Sequence, residues 1–425
     1  MSKTYFKNYK SATDFLMLGL AKSGGKVFRG EEGLAKTKRF LQLIDNPQQD
    51  LRAIHIAGTS GKGTVAYMID SILRQHGFTT GLLMSPHVYD LRERFQINGS
   101  LISRADFVGQ LNLLMPAIID RFLAAESPTY FQVNTALGFS LLKRRKVDYA
   151  VIETGLGGLY DSTNALERTD KLCVITRIGK DHQRILGRAY RTIAAQKAGI
   201  IHDGNYVITI RQRPDVNRAI TDWVQTKKAE VLLESPENYR KFQINNQQLS
   251  ADFQFENIAL AFAACRKLAQ RDGWIFSEDN AIQALNELAL PGRFDVVNRN
   301  NQLFIFDGAH NPQKLAALAS QYQSNYEGKA TLIMALKSDK HARDSLAAIS
   351  PIAKKFIFTN FLVTQDFAAK SHAPKKLLAL SKHLGVEAEV ANSAQEALAL
   401  AAKDRRVLVT GSNYLLGDIR QLLDD

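Results

Sequence analysis

The chain has 425 residues, a length that favours two domains over a single compact core. Apolar residues make up 45% and charged residues 23%, an ordinary globular balance, and no apolar run is long enough to cross a bilayer. The net charge of +13 comes from basic residues spread along the chain without interleaved aromatic residues, so we expect neither nucleic acid nor a membrane as a partner.

The same charge is compatible with small polyanions such as nucleotides or poly-acidic substrates, and equally with a plain soluble surface. Cys173 and Cys265 lie far apart in apolar contexts, which predicts two core residues rather than a disulfide or a metal pair. Residues 1–20 lack a compact basic start, a long apolar core and a small-residue cleavage site, so we expect no signal peptide. A cytoplasmic protein fits these features.

Strand, loop and helix alternate along the first part of the chain, which predicts an α/β fold with a mostly parallel sheet covered by helices on both faces. The predicted strands are 53–57, 80–84, 148–153 and 171–176. Helical spacing of apolar residues follows Gly63, and further helices are predicted at 104–125 and 133–145.

A second set of elements begins after Pro291-Gly292-Arg293, with predicted strands at 303–306, 330–335, 355–358 and 407–410. We place the boundary near residues 293–301. The prediction is a P-loop-containing domain at 1–295 and a smaller, Rossmann-like α/β domain at 296–425.

Glycines and a lysine follow the first strand and open a helix, in the order Gly58-Thr59-Ser60-Gly61-Lys62-Gly63-Thr64. Backbone N–H groups at such a helix N-terminus cradle phosphate oxygens, Lys62 adds a positive charge, and the Thr64 hydroxyl can meet Mg²⁺. The usual P-loop has an earlier glycine and places Ser or Thr directly after the lysine, so this is a shorter variant. The alternative is a glycine-rich turn that only links strand to helix.

Polar residues also follow the later strands, where parallel sheets bind their ligands. Ser85 and Glu153 are placed to hold Mg²⁺, although Glu153 could instead be a buried carboxylate bonded by glycine amides. His182 shares this edge and is a further site candidate, whereas Lys197 looks, on sequence alone, like a solvated lysine at a helix end.

In the C-terminal part, Asp307-Gly308-Ala309-His310 follows a strand and precedes a helix. A strand-end aspartate with a nearby histidine can orient a ribose or a reacting carboxylate. The alternative is an Asx-type turn before the helix.

Taken in order, these motifs resemble the folylpolyglutamate synthase and dihydrofolate synthase family of the Mur ligase superfamily, from about residue 43 to 416. The motifs that carry the resemblance are 46–48, 58–64, 85–87, 92–94, 97–99, 153–158, 161–164, 181–182, 197–200, 291–294 and 307–312.

The resemblance implies an ATP-dependent ligase that adds L-glutamate to a folate, or to dihydropteroate, through an acyl phosphate. It implies that ATP binds between the domains and is contacted by Thr59, Ser60, Gly61, Lys62, Gly63, Thr64, Asn257, Arg293 and Asp307. It implies two Mg²⁺ ions, with ligands Thr64, Ser85, Glu153 and His182. It also implies a carbamylated Lys197, which replaces the solvated reading, and a catalytic role for Lys62, Lys197 and His310.

On the substrate side, the resemblance assigns Tyr130, Phe131, Gln132 and Asp161. Four positions depart from the usual family pattern: Gln132 replaces a glutamate, Lys180 an apolar residue, Glu256 an arginine, and Leu159 or Tyr160 a common arginine before Asp161-Ser162-Thr163-Asn164. We expect a monomer, because Mur-type ligases act by closure of domains within one chain. Another Mur-type ligase with a non-folate carboxylate, a basic P-loop protein that binds nucleic acid, and a non-catalytic paralogue remain the alternatives.

Overall fold

The computed structural model of the chain describes residues 4–20, 30–124, 126–299, 301–361 and 370–424. The chain forms two compact units, an N-terminal unit of residues 1–86, 92–243 and 255–288 and a C-terminal unit of residues 87–91, 244–254 and 289–425. The domain boundary at 295/296 stays a prediction. The predicted helix end at Ala125 and the domain ends at Met1 and Asp425 lie outside the described residues.

The N-terminal unit is built on an eight-stranded sheet of order β4-β3-β2-β5-β1-β6-β7-β8. Its strands are β1 (Ala53–Ala57), β2 (Thr80–Leu83), β3 (Phe95–Ile97), β4 (Ser100–Leu101), β5 (Tyr149–Glu153), β6 (Leu172–Ile175), β7 (Tyr206–Ile210) and β8 (Glu230–Glu234). The strands from β2 to β8 in this order pair in parallel, and only β3 and β4 run antiparallel at one edge. Strand β1 is wholly buried in the middle, as its run of apolar residues predicts.

Up to residue 286, the α-helices of the described ranges lie before, between and after the strands. They are α1 (Tyr9–Asp14), α2 (Glu31–Gln42), α3 (Lys62–Gln75), α4 (Arg104–Leu123), α5 (Tyr130–Arg144), α6 (Gln183–Leu186), α7 (Tyr190–Ala198), α8 (Pro214–Thr226), α9 (Gln254–Asp272) and α10 (Glu278–Asn286). Side chains define several starts: Ser103 caps α4, and Thr129 and Gln132 form a reciprocal capping box at α5. A π-helix, Phe15–Gly19, continues α1.

The C-terminal unit contains a six-stranded sheet of order β13-β12-β11-β14-β10-β9, parallel except for β9. Its strands are β9 (Asp295–Arg299), β10 (Gln302–Asp307), β11 (Ala330–Met334), β12 (Ala353–Phe358), β13 (Glu387–Val390) and β14 (Arg406–Thr410). Its helices are α11 (Pro312–Asn325), α12 (Ala342–Ile349), α13 (Pro374–Ser381), α14 (Ala394–Leu400) and α15 (Asn413–Asp424).

Alternate residues of the same strand enter two different cores in this unit. Ile305 packs with residues of α11, α12 and α13, whereas its neighbours Phe304 and Phe306 pack with residues of α14 and α15. The sheet is therefore covered on both faces, as the sequence predicts.

The fold class is confirmed, and every predicted strand exists with ends that differ by at most two residues. The sequence reading missed six strands, which are β3, β4, β7, β8, β9 and β13. One of them, β9, lies at residues 295–299, near the predicted boundary, and pairs antiparallel with β10. Cys173 and Cys265 are fully buried free thiols, as predicted. None of the helices in the described ranges is both long and apolar enough to span a membrane.

Candidate active site

The carboxyl ends of five neighbouring strands of the N-terminal unit meet at one edge of the sheet. In the register of β1, Ile56 lies opposite Glu153 of β5, and Ala57 lies opposite Ile175 of β6. The loops that leave β1, β5 and β6 therefore start side by side. This parallel register brings residues near position 57 together with residues near positions 153 and 175.

The loop after β1 turns into α3 at Gly61, which has a φ of +90°. A Cβ atom at this position would lie 2.2 Å from Oδ1 of Asn257, so the loop and the Asn257 side chain are in close contact. Only glycine combines that backbone conformation with that approach. Asn257, predicted to contact a nucleotide, is thus brought against the predicted phosphate loop.

A single carbonyl group binds the first residues of the loop after β1. Arg177 O, just beyond β6, accepts hydrogen bonds from Thr59 N–H at 2.9 Å and Ser60 N–H at 3.2 Å. The Thr59 and Ser60 amides are therefore already used by the fold. The N–H groups of the first turn of α3, from Lys62 to Thr64, precede any intrahelical acceptor and are the ones suited to phosphate.

Lys62, Glu153 and Ser85 meet at the centre of the edge. Lys62 Nζ lies 3.7 Å from Glu153 Oε1, and Ser85 N–H donates to Glu153 Oε2 at 3.2 Å. Glu153 is 5% exposed, so this carboxylate is shared between a lysine and a strand-end amide inside the protein. The sequence left open that glycine amides after β5 bind this carboxylate. Its two contacts are instead with Lys62 Nζ and the Ser85 N–H group.

Lys197 is buried, and the solvated reading of this lysine is wrong. Its side chain is 5% exposed, and Nζ donates to Gly58 O, at the start of the phosphate loop, at 2.6 Å. The end of α7 is fixed from the other side, because Leu159 N–H donates to Gln196 O at 2.7 Å. A Cβ atom at Gly158 would lie 2.7 Å from Lys197 O, so this contact also requires glycine.

His182 differs from the other predicted metal ligands in its surroundings. Its side chain is 45% exposed, and Nε2 lies 4.0 Å from Asp181 Oδ2. Across the described ranges, no group of three or more His, Cys, Asp and Glu side chains is arranged to hold a metal ion. Thr64, by contrast, is buried at the start of α3 beside the lysine.

A small pocket opens next to Ser85 and Glu153. It is lined by Leu83, Met84, Ser85, Arg94, Phe131, Asn134, Thr135, Glu153 and Thr163. In the part of the chain that the structure describes, Ser85 Oγ and Asn134 Oδ1 are buried without a hydrogen-bond partner, which marks a polar wall suited to a ligand. The predicted substrate residue Phe131 lies in this wall, and the Arg94 guanidinium covers the ring of its neighbour Tyr130 at 5.3 Å.

Gln132, also predicted to contact substrate, is used by the fold. Its Oε1 accepts from Thr129 N–H at 2.8 Å, and its Nε2 donates to Gly33 O and Thr37 Oγ1, both at 3.0 Å. The amide thereby fastens α5 to α2. A glutamate at this position could keep the capping contact but could not donate to Gly33 O, which gives a structural reason for the departure from the family pattern.

Asp161 likewise has both carboxylate oxygens bonded within the protein. Oδ2 accepts from Leu156 N–H at 2.7 Å, and Oδ1 accepts from the Thr163 N–H at 3.0 Å and hydroxyl at 2.6 Å. Burial raises its pKa, and these hydrogen bonds oppose the rise. Thr163 also contacts His55 Nε2 at 2.9 Å in the middle of β1, where burial lowers the pKa of the imidazole well below its usual value. Asp161 thus shapes the loop after β5.

In the C-terminal unit, Asp307 joins two segments of backbone. Its Oδ2 accepts from Phe294 N–H at 2.9 Å and its Oδ1 from Ala309 N–H at 2.8 Å. Loss of hydration raises the pKa of Asp307 to about 6, against the hydrogen bonds that favour the ionised form. His310 follows with Nδ1 2.7 Å from Gly308 O, and Arg293 donates to Pro291 O at 3.2 Å. The three predicted residues therefore lie on one connected set of loops.

Several residues at these edges were not identified from the sequence. Arg177 acts through its main-chain carbonyl, and its side chain pairs with Glu256, Nε lying 2.8 Å from Oε2. Arg94 is only 2% exposed beside the pocket, and its motif was noted without a role. In the C-terminal unit, Asn413 lies against Gly308, where a Cβ atom would be 2.0 Å from Asn413 Oδ1.

Two family models match the chain. The Mur ligase middle domain matches residues 56–299, and the Mur ligase glutamate ligase domain matches residues 292–413. The first covers most of the N-terminal unit with the phosphate loop, and the second covers the loops around Asp307.

Characterised relatives resemble the chain over nearly all of its length. The folylpolyglutamate synthase of Lacticaseibacillus casei is 31% identical, over 92% of this chain and 95% of its own. The dihydrofolate synthase/folylpolyglutamate synthase of Bacillus subtilis is 28% identical, over 94% and 97%. The structure of Mycobacterium tuberculosis folylpolyglutamate synthase complexed with ADP superposes with a TM-score of 0.84 at 25% identity, over 98% of this chain and 99% of that one.

The raised pKa of Asp307 makes a prediction about stability and pH. Because the folded protein holds the proton more tightly than the unfolded chain, this group contributes stability that is present below pH 4 and lost as the pH rises through about 6. Replacement of Asp307 by Asn removes this term. We expect the unfolding free energy of the wild type to fall, relative to Asp307→Asn, by up to about 3 kcal/mol between pH 4 and 7.

Urea unfolding of both proteins across this pH range measures the difference. Asp339→Asn, at an exposed position of the same unit, removes the same charge and controls for the overall charge change. Parallel pH profiles of wild type and Asp307→Asn would contradict the raised pKa.

Proposed function

The chain belongs to the folylpolyglutamate synthase and dihydrofolate synthase family of the Mur ligases, and from this premise we propose that it adds L-glutamate to a folate with cleavage of ATP to ADP and phosphate. The observation that carries the proposal is the arrangement of Lys62, Glu153 and Ser85 beside the first turn of α3. It combines donors for phosphate with oxygen atoms for a metal at one edge of the sheet.

The reaction has two balanced steps. A carboxylate oxygen of the folate attacks the γ-phosphorus of ATP, the bond to the β-phosphate oxygen breaks, and ADP leaves an acyl phosphate. The amine of glutamate then attacks the acyl carbon, loses a proton, and expels inorganic phosphate to form the amide. In this scheme the N–H groups of α3 and the ammonium of Lys62 bind the phosphate oxygens and stabilise their charge.

Mg²⁺ fits the residues present, because the buried Ser85 hydroxyl has no hydrogen-bond partner in the described ranges and Glu153 lies within reach of its main chain. Thr64, Ser85, Glu153 and His182 would hold two ions, which supply positive charge to the phosphates. A metal ion bound to Glu153 would supply the charge that Lys62 now balances, which would leave the Lys62 ammonium available to the phosphate oxygens.

We assign the remaining residues by their contacts. Asn257 lies on the phosphate loop, and Arg293 and Asp307 are the nucleotide candidates of the C-terminal unit. Tyr130 and Phe131 face the pocket side and are the substrate candidates, whereas Gln132 and Asp161 support them from within the fold. For His310, the contact of Nδ1 with Gly308 O selects the neutral tautomer with its proton on Nδ1, in which Nε2 is the nitrogen that can accept a proton.

Lys197 is proposed to carry a carbamate. The ammonium would first lose one proton, and the neutral amine would then attack CO₂ and lose a second, so that the cation at Gly58 O becomes an anion beside the phosphate loop. Because the amine is buried and the end of α7 is fixed, the charge would have one defined position. We also propose that the enzyme acts as a cytoplasmic monomer.

Substrate turnover tests the proposed function. With ATP, Mg²⁺, glutamate and reduced monoglutamyl folate, we expect ADP release and a product longer by one glutamate, measured by coupled assay and mass spectrometry. Dihydropteroate in place of folate tests for dihydrofolate synthase activity. ADP release only with a non-folate carboxylate would instead indicate another Mur-type ligase. Absence of ADP release with every carboxylate tested would contradict the proposed function.

A substitution at Gly61 tests whether the loop after β1 binds the nucleotide, with Gly204 as the control for lost stability. Gly61→Ala would put a methyl group into Asn257, whereas Gly204→Ala, at a φ of +74°, meets nothing within 4 Å. Both variants bear the left-handed backbone strain of about 1–2 kcal/mol. We expect Gly61→Ala to lose at least as much stability as Gly204→Ala, and only Gly61→Ala to weaken ADP binding, by at least tenfold, in calorimetric titrations. Equal ADP affinities in the two variants would argue against phosphate binding at this loop.

The carbamate of Lys197 can be measured directly. We expect native intact-mass spectra in bicarbonate buffer to gain the mass of one CO₂ and to lose it on acidification, with peptide mapping to α7. Lys197→Met should abolish both the added mass and turnover while the thermal transition persists. Full turnover without any detectable adduct would contradict the proposal.

A further inference from the structure

Two segments of the chain carry a local excess of positive charge. Residues 177–191 and 211–218 contain eight basic and two acidic side chains, a net charge of +6 in 23 residues, against +13 for the whole chain. These two segments follow β6 and β7, the strands that continue the sheet outward from β1. Nearly half of the net charge therefore lies at the edge that carries the phosphate loop.

Specific contacts join the two segments to each other. Gln212, between Arg211 and Arg213, accepts from Ile178 N–H at 2.7 Å and donates to Thr176 O at 3.3 Å. The neighbouring Arg177 is the residue whose carbonyl holds Thr59 and Ser60. The basic segments are thus connected to the phosphate loop through the Gln212 side chain and the Arg177 carbonyl.

An aromatic ring fixes the outer part. Arg213 lies 4.4 Å and Lys180 5.3 Å from the centre of the Tyr190 ring, one residue from each segment. Because Lys180 and Tyr190 are in contact, the chain between them leaves and returns to the same point. Arg184 and Arg188 lie on this short loop and are exposed.

Most of this charge is not neutralised by the protein. Arg177 pairs with Glu256, Arg213 with Asp215 at 3.1 Å, and Arg191 with Asp222 at 3.4 Å. Across the described ranges, no ion pair involves Lys180, Arg184, Arg188 or Arg211. We call these four side chains the basic surface. Four exposed cations without ion-pair partners repel one another, and a bound polyanion relieves this repulsion.

We propose that the basic surface binds the oligo-γ-glutamyl chain of the folate substrate, an inference that rests on the proposed function. Each γ-linked glutamate adds one α-carboxylate on a flexible chain, with a repeat of roughly 6 Å. Arginine side chains bind carboxylates with paired hydrogen bonds, and three of the four side chains are arginines. Nucleic acid fits less well, because the one aromatic ring of the surface, Tyr190, is already covered by Lys180 and Arg213.

The test removes charge from the surface without touching the predicted catalytic residues. The variant Arg184→Gln/Arg188→Gln/Arg211→Gln is compared with Lys375→Gln/Lys376→Gln/Lys382→Gln, which removes the same charge from exposed positions of the C-terminal unit. For a triglutamyl folate at low salt, we expect KM of the arginine variant to rise about tenfold with kcat within twofold. KM for the monoglutamyl folate should change less than threefold, and the lysine variant should match the wild type.

A binding measurement separates this inference from the proposed function. Fluorescein-labelled tetra-γ-glutamate should bind the wild-type protein in a salt-dependent manner by fluorescence anisotropy, and the arginine variant should bind it at least tenfold more weakly. If the wild type turns over no folate, the proposed function fails. The peptide titration then still tests whether the basic surface binds γ-glutamyl chains. Equal peptide affinities, equal KM changes for short and long folates, or tighter binding of an oligonucleotide of matched charge would overturn the inference.

Discussion

The candidate site depends on one backbone carbonyl, that of Arg177, which accepts the N–H groups of both Thr59 and Ser60. This contact exists because β1 and β6 are parallel neighbours in a register that starts their following loops together. It fixes where α3 begins, and hence where the first-turn N–H groups and the partial positive charge of the helix are directed. Lys62 is carried on that first turn, so its distance from Glu153 follows from the same constraint.

Charge is arranged in layers around this constraint. Innermost, the cations are matched: Lys62 lies beside Glu153, and Arg177 beside Glu256. Outward along β6 and β7 the matching ends, and arginines without ion pairs remain. An arginine at position 256 would leave the Arg177 guanidinium without its partner and add a second cation beside it. Glu256 therefore keeps the loop support neutral and confines the excess positive charge to the outer surface.

The sequence predicts the parts of the fold whose signal lies in side-chain pattern, such as the mostly apolar and wholly buried β1 and the glycine-rich turn at Gly61. It does not predict β8, whose Leu232 and Leu233 are partly exposed at the sheet edge, or β9, whose polar residues resemble a linker. The sequence also does not predict the structural roles of Gln132 and Asp161. Their polar atoms form hydrogen bonds with backbone groups that only the fold brings close. Arg177 acts through a main-chain carbonyl, and a carbonyl has no sequence signature.

Lys197 illustrates how a neighbour without a side chain changes the chemistry of a residue. A lysine near a helix end is ordinarily solvated, but Gly158 lets the loop after β5 lie directly on the end of α7, and the amine is enclosed at Gly58 O. As an ammonium, Lys197 would place a second buried cation on the phosphate loop that Lys62 already serves, with little water to hydrate it. As a carbamate it would have the opposite sign to Lys62, so that the two lysines divide the loop into a side that binds phosphate and a side that binds metal. The close packing at Gly158 is therefore as much a part of the proposed chemistry as the lysine itself.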